Sequence, residues 1–471
     1  MPDCAHSAFL VERKRLLAGA IRELARRFEY ASVLGTDDSG VSYRATRGET
    51  GAGEPMWVQR GFVVRAQRGG RVAERAFNEL PAEDPGALAR AIGDSLEPLL
   101  AAPGAKAYPP MPDEPAKAER LGTIARPGVD ADPEEMLRRL AACRDGLLAK
   151  PNLVSASARA DFVRVSRFFL SPNRDLFQSF EWGQAYAFGI ARRGEVSKSS
   201  YRARSGLAGA ELLDGLEADL PGLATELGEL LDAGKVEPGE YEVVMTPDVA
   251  GTLAHEAFGH GVETDMFVKG RAKAAEYLGK PVASPIVDMY DGAEGVSQTG
   301  SFLFDDEGNL GTKTTVISKG LLASGFSDAL SALSLGARPT GNGRRQAYDH
   351  KAYARMTNTY FGPGTSTKEE LIASVKRGWL LDRLNSGMED PKNWGIQLIV
   401  LVGREIVDGK LTGRVASPVF CSGYVPDVLK AIDMVSADFE LSGSGACGKG
   451  HKELVKVSSG GPYVKTRMRL G

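Results

Sequence analysis

The sequence predicts an α+β protein in which an N-terminal mixed α/β domain precedes a strand-rich, barrel-like C-terminal domain. Three observations predict it. Glycine accounts for 56 of 471 residues without a repeat period, which reads as many tight turns between strands. Runs of β-branched and aromatic residues alternate with stretches whose apolar residues fall at helical spacing. A break at Asp232-Ala233-Gly234-Lys235, ahead of Pro238-Gly239, separates these from a half of short strands, glycine turns and three or four helices. A single core is not expected at this length. The expected units are residues 1–100, a proline-rich linker at 101–118, residues 119–235 completing the N-terminal domain, and a C-terminal domain over 236–471.

Taken in order, 11–31 reads as an amphipathic helix on Leu17, Ile21, Leu24 and Phe28. Strands are expected at 30–34, 41–45, 57–66 and 71–77, and a second helix at 85–100. Pro103, Pro109, Pro110, Pro112 and Pro115 mark the linker. Asp132-Pro133-Glu134-Glu135 combines a cap, a first-position proline and first-turn acids, so a helix should run to about Ala149. Strands follow over 153–202, with alternation visible in Phe162-Val163-Arg164-Val165-Ser166-Arg167-Phe168, then a helix over about 208–233.

Charge and composition exclude several function classes. The net charge is -3 and basic residues are matched by acids, which does not support a nucleic-acid footprint. No apolar run approaches the roughly 20 residues of a membrane span. The first residues lack a signal-peptide pattern, and four irregularly spaced cysteines fit a reducing compartment. A cytoplasmic location is therefore expected, with no nucleic-acid or membrane partner.

The chemistry concentrates at His255-Glu256-Ala257-Phe258-Gly259-His260. Glu242-Val243-Val244-Met245 reads as a strand, and Thr246-Pro247-Asp248 opens a helix that carries His255 and Glu256 in its third turn. Zinc-binding helices usually space two histidines by four residues. A spacing of five leaves the rings roughly 140° apart on a regular α-helix. Gly259 and Gly261 flank His260, so the helix is expected to end or widen into a π-type turn there. Two imidazoles and one anionic ligand would hold zinc with a position open for water, and Glu256 would take that water's proton. A third protein ligand is required.

Gly443-Ser444-Gly445-Ala446-Cys447-Gly448-Lys449-Gly450 carries two readings. It matches most of a phosphate-binding loop, yet Gly450 replaces the Ser or Thr, and the 21 residues that follow read as strands, not as a helix. Alternatively, the loop presents Cys447 as a thiolate close to a metal, favoured by Lys449 and His451.

With both motifs placed, the chain resembles the TldD/PmbA family of metallopeptidases. Further matching stretches are Phe304-Asp305-Asp306-Glu307-Gly308, Pro339-Thr340-Gly341-Asn342-Gly343-Arg344-Arg345 and Arg355-Met356-Thr357-Asn358-Thr359. The resemblance is dense over 240–365 and returns at 438–450. It implies a C-terminal metallopeptidase domain with Zn2+ held by His255, His260 and Cys447, and Glu256 as catalytic base. It also implies dimers, of like chains or with a related subunit, that enclose a chamber where unfolded or extended peptides are cleaved; the intact motif makes this chain look like the active subunit. The chain departs from the family at Gly387-Met388-Glu389-Asp390-Pro391-Lys392-Asn393-Trp394-Gly395, where a glycine-rich segment followed by Val-Asp is usual. Substrate preference and partner choice are therefore not carried over.

Other residues take lesser readings. Asp305-Asp306-Glu307-Gly308-Asn309 reads as a hairpin turn. Arg344, Arg345 and Tyr348 are candidates for binding a substrate carboxylate or an oxyanion. Glu263 has the spacing to orient His260. His350 and His451 read as surface or loop residues, and Cys4, Cys143 and Cys421 as packing. The alternative to a peptidase is a non-proteolytic binding or peptide-maturation subunit of a dimer, with a structural metal closed by four ligands.

Overall fold

In a computed structural model, which describes residues 4–104, 106–294, 296–450 and 453–471, two large sheets pack around separate cores. The N-terminal sheet holds eight strands: β1 (Tyr30–Ala45), β2 (Thr50–Gly53), β3 (Gln59–Arg68), β4 (Arg71–Phe77), β5 (Ala116–Leu121), β6 (Leu153–Leu170), β7 (Arg174–Arg193) and β8 (Val196–Gly206). Their order is β4-β3-β1-β6-β7-β5, with β2 on β1 and β8 on β7. The strand expected at 30–34 and the one at 41–45 are a single strand. Asp37 to Gly40, between the two expected strands, stay extended because β3 pairs with Asp37 and Asp38 and β6 with Ser39 and Gly40.

Four helices cover one face of this sheet: α1 (Ala8–Leu24), α2 (Pro85–Ala101), α3 (Pro133–Leu148) and α4 (Leu212–Leu230). Side chains alternate across a strand, and β6 sorts its apolar residues accordingly. Phe162 and Phe168 face the helices, while Val163, Val165 and Phe169 face the other half of the chain beside Phe302 and Phe304. The helix expected over 11–31 starts earlier, where the Ser7 hydroxyl accepts from Leu10 N, and ends before Phe28. The one expected over 208–233 is shorter at both ends.

The second sheet begins with β9 (Gly239–Met245). It continues through β10 (Met289–Gly292), β11 (Lys313–Ser318) and β12 (Leu321–Leu322), past the small pair β13 (Gly343–Arg344) and β14 (Tyr353–Ala354), to β15 (Asn358–Phe361). After these come β16 (Arg377–Asp390), β17 (Gly395–Val407), β18 (Lys410–Ala416), β19 (Val419–Tyr424) and β20 (Met434–Ser442). The hairpin of β21 (Ala446–Lys449) and β22 (Glu453–Lys456) precedes the last strand, β23 (Ser458–Leu470).

The order β23-β19-β17-β16-β9 returns to β23, so these five strands close into a barrel, as the barrel-like expectation required. Val243, Met245, Leu381, Leu398, Val400, Cys421, Val464 and Met468 belong to its core. Helix α5 (Pro247–Ala254) leaves β9 and packs against β23 so closely that a side chain at Gly251 would collide with the backbone of Gly460. That contact holds the end of α5, and the residues after it, against the sheet. No helix of the described residues is long and apolar enough to cross a membrane.

Candidate metal centre

The chain reaches the centre through a short, over-determined approach. Thr246 N donates to Leu381 O, Pro247 supplies a first position that needs no N–H donor, and Asp248 Oδ2 accepts from Leu384 N at 2.9 Å. Helix α5 is thereby tied to β16. At its end the chain widens into a π turn, His255–Gly259, followed by a single 3-10 turn, His260–Val262. The His260 N–H donates to His255 O, five residues back. One extra residue in the turn swings position i+5 back over position i, and the two imidazoles meet at 5.3 Å between ring centroids.

Of the flanking glycines, Gly259 acts through space rather than through an unusual torsion. Gly259 has φ -76° and ψ -74°, which any residue can approach. A side chain there would strike Met356 Sδ. At Gly261, a Cβ would stand 3.5 Å from Glu389 Oε1.

Cys447 arrives from β21. Its Sγ lies 3.3 Å from His260 Nε2, and the ligand atoms of His255, His260 and Cys447 all fall within 4.8 Å of one another. Burial pushes the Cys447 thiol up, but the two histidines outweigh it and hold the group well below its ordinary range. His260 is likewise opposed by burial, yet Cys447 and Glu263 raise it well above a usual histidine. A thiolate between two imidazoles is a donor set for a divalent transition metal.

Glu263 orients this set. Its Oε2 faces His260 Nδ1 at 3.2 Å, so Nδ1 donates and Nε2 is left toward Cys447. Burial disfavours the Glu263 carboxylate, but Lys449, His260 and Arg355 bring its pKa down to about 2. Lys449 Nζ sits 3.0 Å from Glu263 and 2.6 Å from Asp265, a structural lysine rather than a phosphate ligand. Strands, not a helix, follow the 443–450 loop. Arg355, whose role sequence reasoning missed, donates to Cys447 O at 2.6 Å and to Glu453 O at 3.2 Å, clamping the hairpin. Only its place in a motif stretch signalled it.

Glu256 is the second residue of the π turn and lies against β16. A Cβ on Gly387 would stand 2.9 Å from Glu256 Cγ, so the absent side chain makes the room that Glu256 uses. Two residues on, Glu389 approaches the same turn. Burial pushes its carboxyl up to about 9, with His260 opposing and Glu256 adding to the rise.

The other candidates are held elsewhere. Arg344 Nη1 donates to Met356 O at 2.8 Å, and the side chain lines a cavity of about 60 Å³ together with Trp57, Trp182 and Arg167. Burial lowers its pKa to about 10. Arg345 pairs with Glu74, and Tyr348 N donates to Gln59 Oε1, so both are engaged with the N-terminal sheet. Asp305 caps a turn, accepting from the N–H groups of Glu307, Asn309 and Gly343. His350 lies 3.5 Å from Glu453. His451 lies outside the described residues. Cys4, Cys143 and Cys421 are buried, and burial pushes the Cys421 thiol up to about 12.

The sequence model described as the PmbA/TldA metallopeptidase C-terminal domain matches residues 238–469. A metalloprotease of Methanothermobacter thermautotrophicus is 31% identical over 320 residues, 67% of this chain and 69% of its own length. A zinc metalloprotease TldD homolog of Saccharolobus solfataricus is 28% identical over 321 residues, 67% and 71% of the two chains. A metalloprotease TldD homolog of Haemophilus influenzae is 34% identical over 236 residues, 50% of this chain and 48% of that one. Among solved structures, TldE of Thermococcus kodakarensis superposes with a TM-score of 0.78 at 17% identity, covering 97% of this chain and all (100%) of that one. A putative modulator of a DNA gyrase from Thermotoga maritima gives 0.77 at 17% identity, over 98% and 100%. At that identity the likeness concerns the fold.

Proposed function

The chain belongs to the TldD/PmbA family of metallopeptidases, and from that premise we propose that it is a zinc-dependent peptidase acting on unfolded or extended peptides. The observation that carries the reading is the convergence of His255, His260 and Cys447 beside an uncommitted Glu256. Bonds of roughly 2.0 Å to nitrogen and 2.3 Å to sulfur set tetrahedral donors about 3.5 Å apart, against 3.3 Å between Cys447 Sγ and His260 Nε2. Those three residues would hold the ion, which when bound supplies Lewis acidity toward a carbonyl and lowers the pKa of a coordinated water.

The chain's own residues do the rest. Glu263 fixes the ring of His260 so that Nε2 remains the donor. Among the described residues Glu256 has no hydrogen bond or ion pair, so its carboxylate is available to take a proton from water and pass it to the leaving amine. A structural metal would be closed by a fourth protein ligand; the donor group of the described residues has three members, which favours the peptidase over the non-proteolytic subunit. A dimer, of like chains or with a related subunit, and a cytoplasmic location belong to the same proposal.

Metal analysis and peptide cleavage on Glu256→Gln test it. The expected outcome is unchanged zinc with cleavage reduced about 10²- to 10⁴-fold. A variant that keeps both zinc and full activity would remove Glu256 from the mechanism.

A further inference from the structure

Strand β16 ends above the π turn, and its alternate residues Gly387 and Glu389 face the metal site. A glycine shapes the space between: Gly387 leaves room for Glu256, while Glu389 Oε1 reaches the turn close to Gly261, 3.5 Å from where a Cβ there would stand. The result is a second carboxylate brought into the site from another element.

That carboxylate has no protein partner. Both of its oxygens are withdrawn from solvent and neither makes a hydrogen bond. The cations of the surrounding elements are committed: His260 to Cys447 and Glu263, Lys449 to Glu263 and Asp265, Arg355 to Cys447 O and Glu453 O, and Lys273 to the Tyr424 hydroxyl. Glu389 also stands outside the compact donor group, whose members are His255, His260 and Cys447. Left to itself such a carboxyl is held neutral by its burial, and a cation arriving from outside the chain is what would stabilise its charged form.

We propose that Glu389 binds the free α-ammonium group of the substrate, making the site selective for peptides with an unblocked amino terminus. A primary ammonium offers three donors and can serve both carboxylate oxygens. Chain geometry favours the α-amino group over a lysine side chain. The carbonyl carbon of a peptide's first residue is two bonds from its amino nitrogen. An amino terminus held at Glu389 therefore brings that carbonyl to the same small site as Glu256, within whose electrostatic reach Glu389 lies. This inference rests on the peptidase reading for its biological meaning, but binding tests it independently.

The experiment measures binding of one extended peptide to zinc-loaded Glu256→Gln protein, with its amino terminus free, N-acetylated, or N-acetylated with an added lysine. The free form is expected to bind about 10- to 100-fold more tightly than the acetylated form. Adding Glu389→Gln should abolish that difference without changing zinc content. Equal affinity for free and acetylated peptides overturns the proposal. So does loss of zinc in Glu389→Gln, which would make the residue a ligand, or full recovery of binding by the added lysine. Cleavage by the wild-type protein is scored separately. Absence of cleavage with the binding difference intact leaves the ammonium subsite standing and removes the peptidase reading.

Discussion

At the scale of single residues, the centre depends on charges that are buried and mutually compensated. Glu263 is 1% exposed and touches His260, Lys449 and Arg355. Replacing it with Gln keeps the shape but removes the charge that orients His260. Metal affinity should fall about 10- to 100-fold, read by chelator competition. Lys456 supplies a pH dependence elsewhere. It is buried where β22 meets the N-terminal sheet, donating to Gln184 Oε1 and Gly445 O, and burial lowers its pKa to about 7. The folded state therefore binds fewer protons than the unfolded chain between about 7 and the lysine value of 10.5. Stability from this group should rise with pH across that window, and Lys456→Met should flatten the rise in melting temperature.

At the scale of elements, the π turn is the device that makes a spacing of five productive, and it needs an empty position. Gly259→Ala places a methyl against Met356 Sδ. The turn is expected to shift, weakening metal binding and lowering stability by about 1–3 kcal/mol. Because Met356 is the obstacle, Gly259→Ala combined with Met356→Ala should recover much of the metal affinity, a rescue that circular dichroism and metal titration together would register. Rescue failing while the protein stays folded would place the requirement in the backbone of the turn. The widened turn was legible from His255, Gly259, His260 and Gly261, because helical periodicity alone makes the regular alternative impossible. The mechanism of Gly259 was not, since it depends on Met356, which stands close by only after folding.

At the scale of the whole molecule, buried charges clasp the two halves. Arg65 on β3 bonds Glu74 at 2.7 Å and pairs with Glu307 from the C-terminal half, while Arg345 reaches back to Glu74. Arg65 and Glu307 side chains are 7% and 1% exposed. Arg65→Met leaves two carboxylates short of a partner and should destabilise the protein by about 3–5 kcal/mol, measured by denaturant unfolding. The same clasp explains why Arg345 and Tyr348, reasonable substrate-binding candidates in a Gly-Asn-Gly loop, serve the junction between halves.

The sequence by itself pointed to the histidine donors, the candidate base Glu256 and the local distortion between His255 and His260, because each follows from residue chemistry at short spacing. Cys447, 187 residues from His260, is expected from its loop and from the family resemblance, but only the tertiary structure sets its sulfur beside the histidines. Tertiary structure also decided that Arg355 clamps the hairpin and that β16 carries Glu389 to the site. Those placements follow from strand register and barrel closure, which bring distant segments together through pairings that no local pattern specifies.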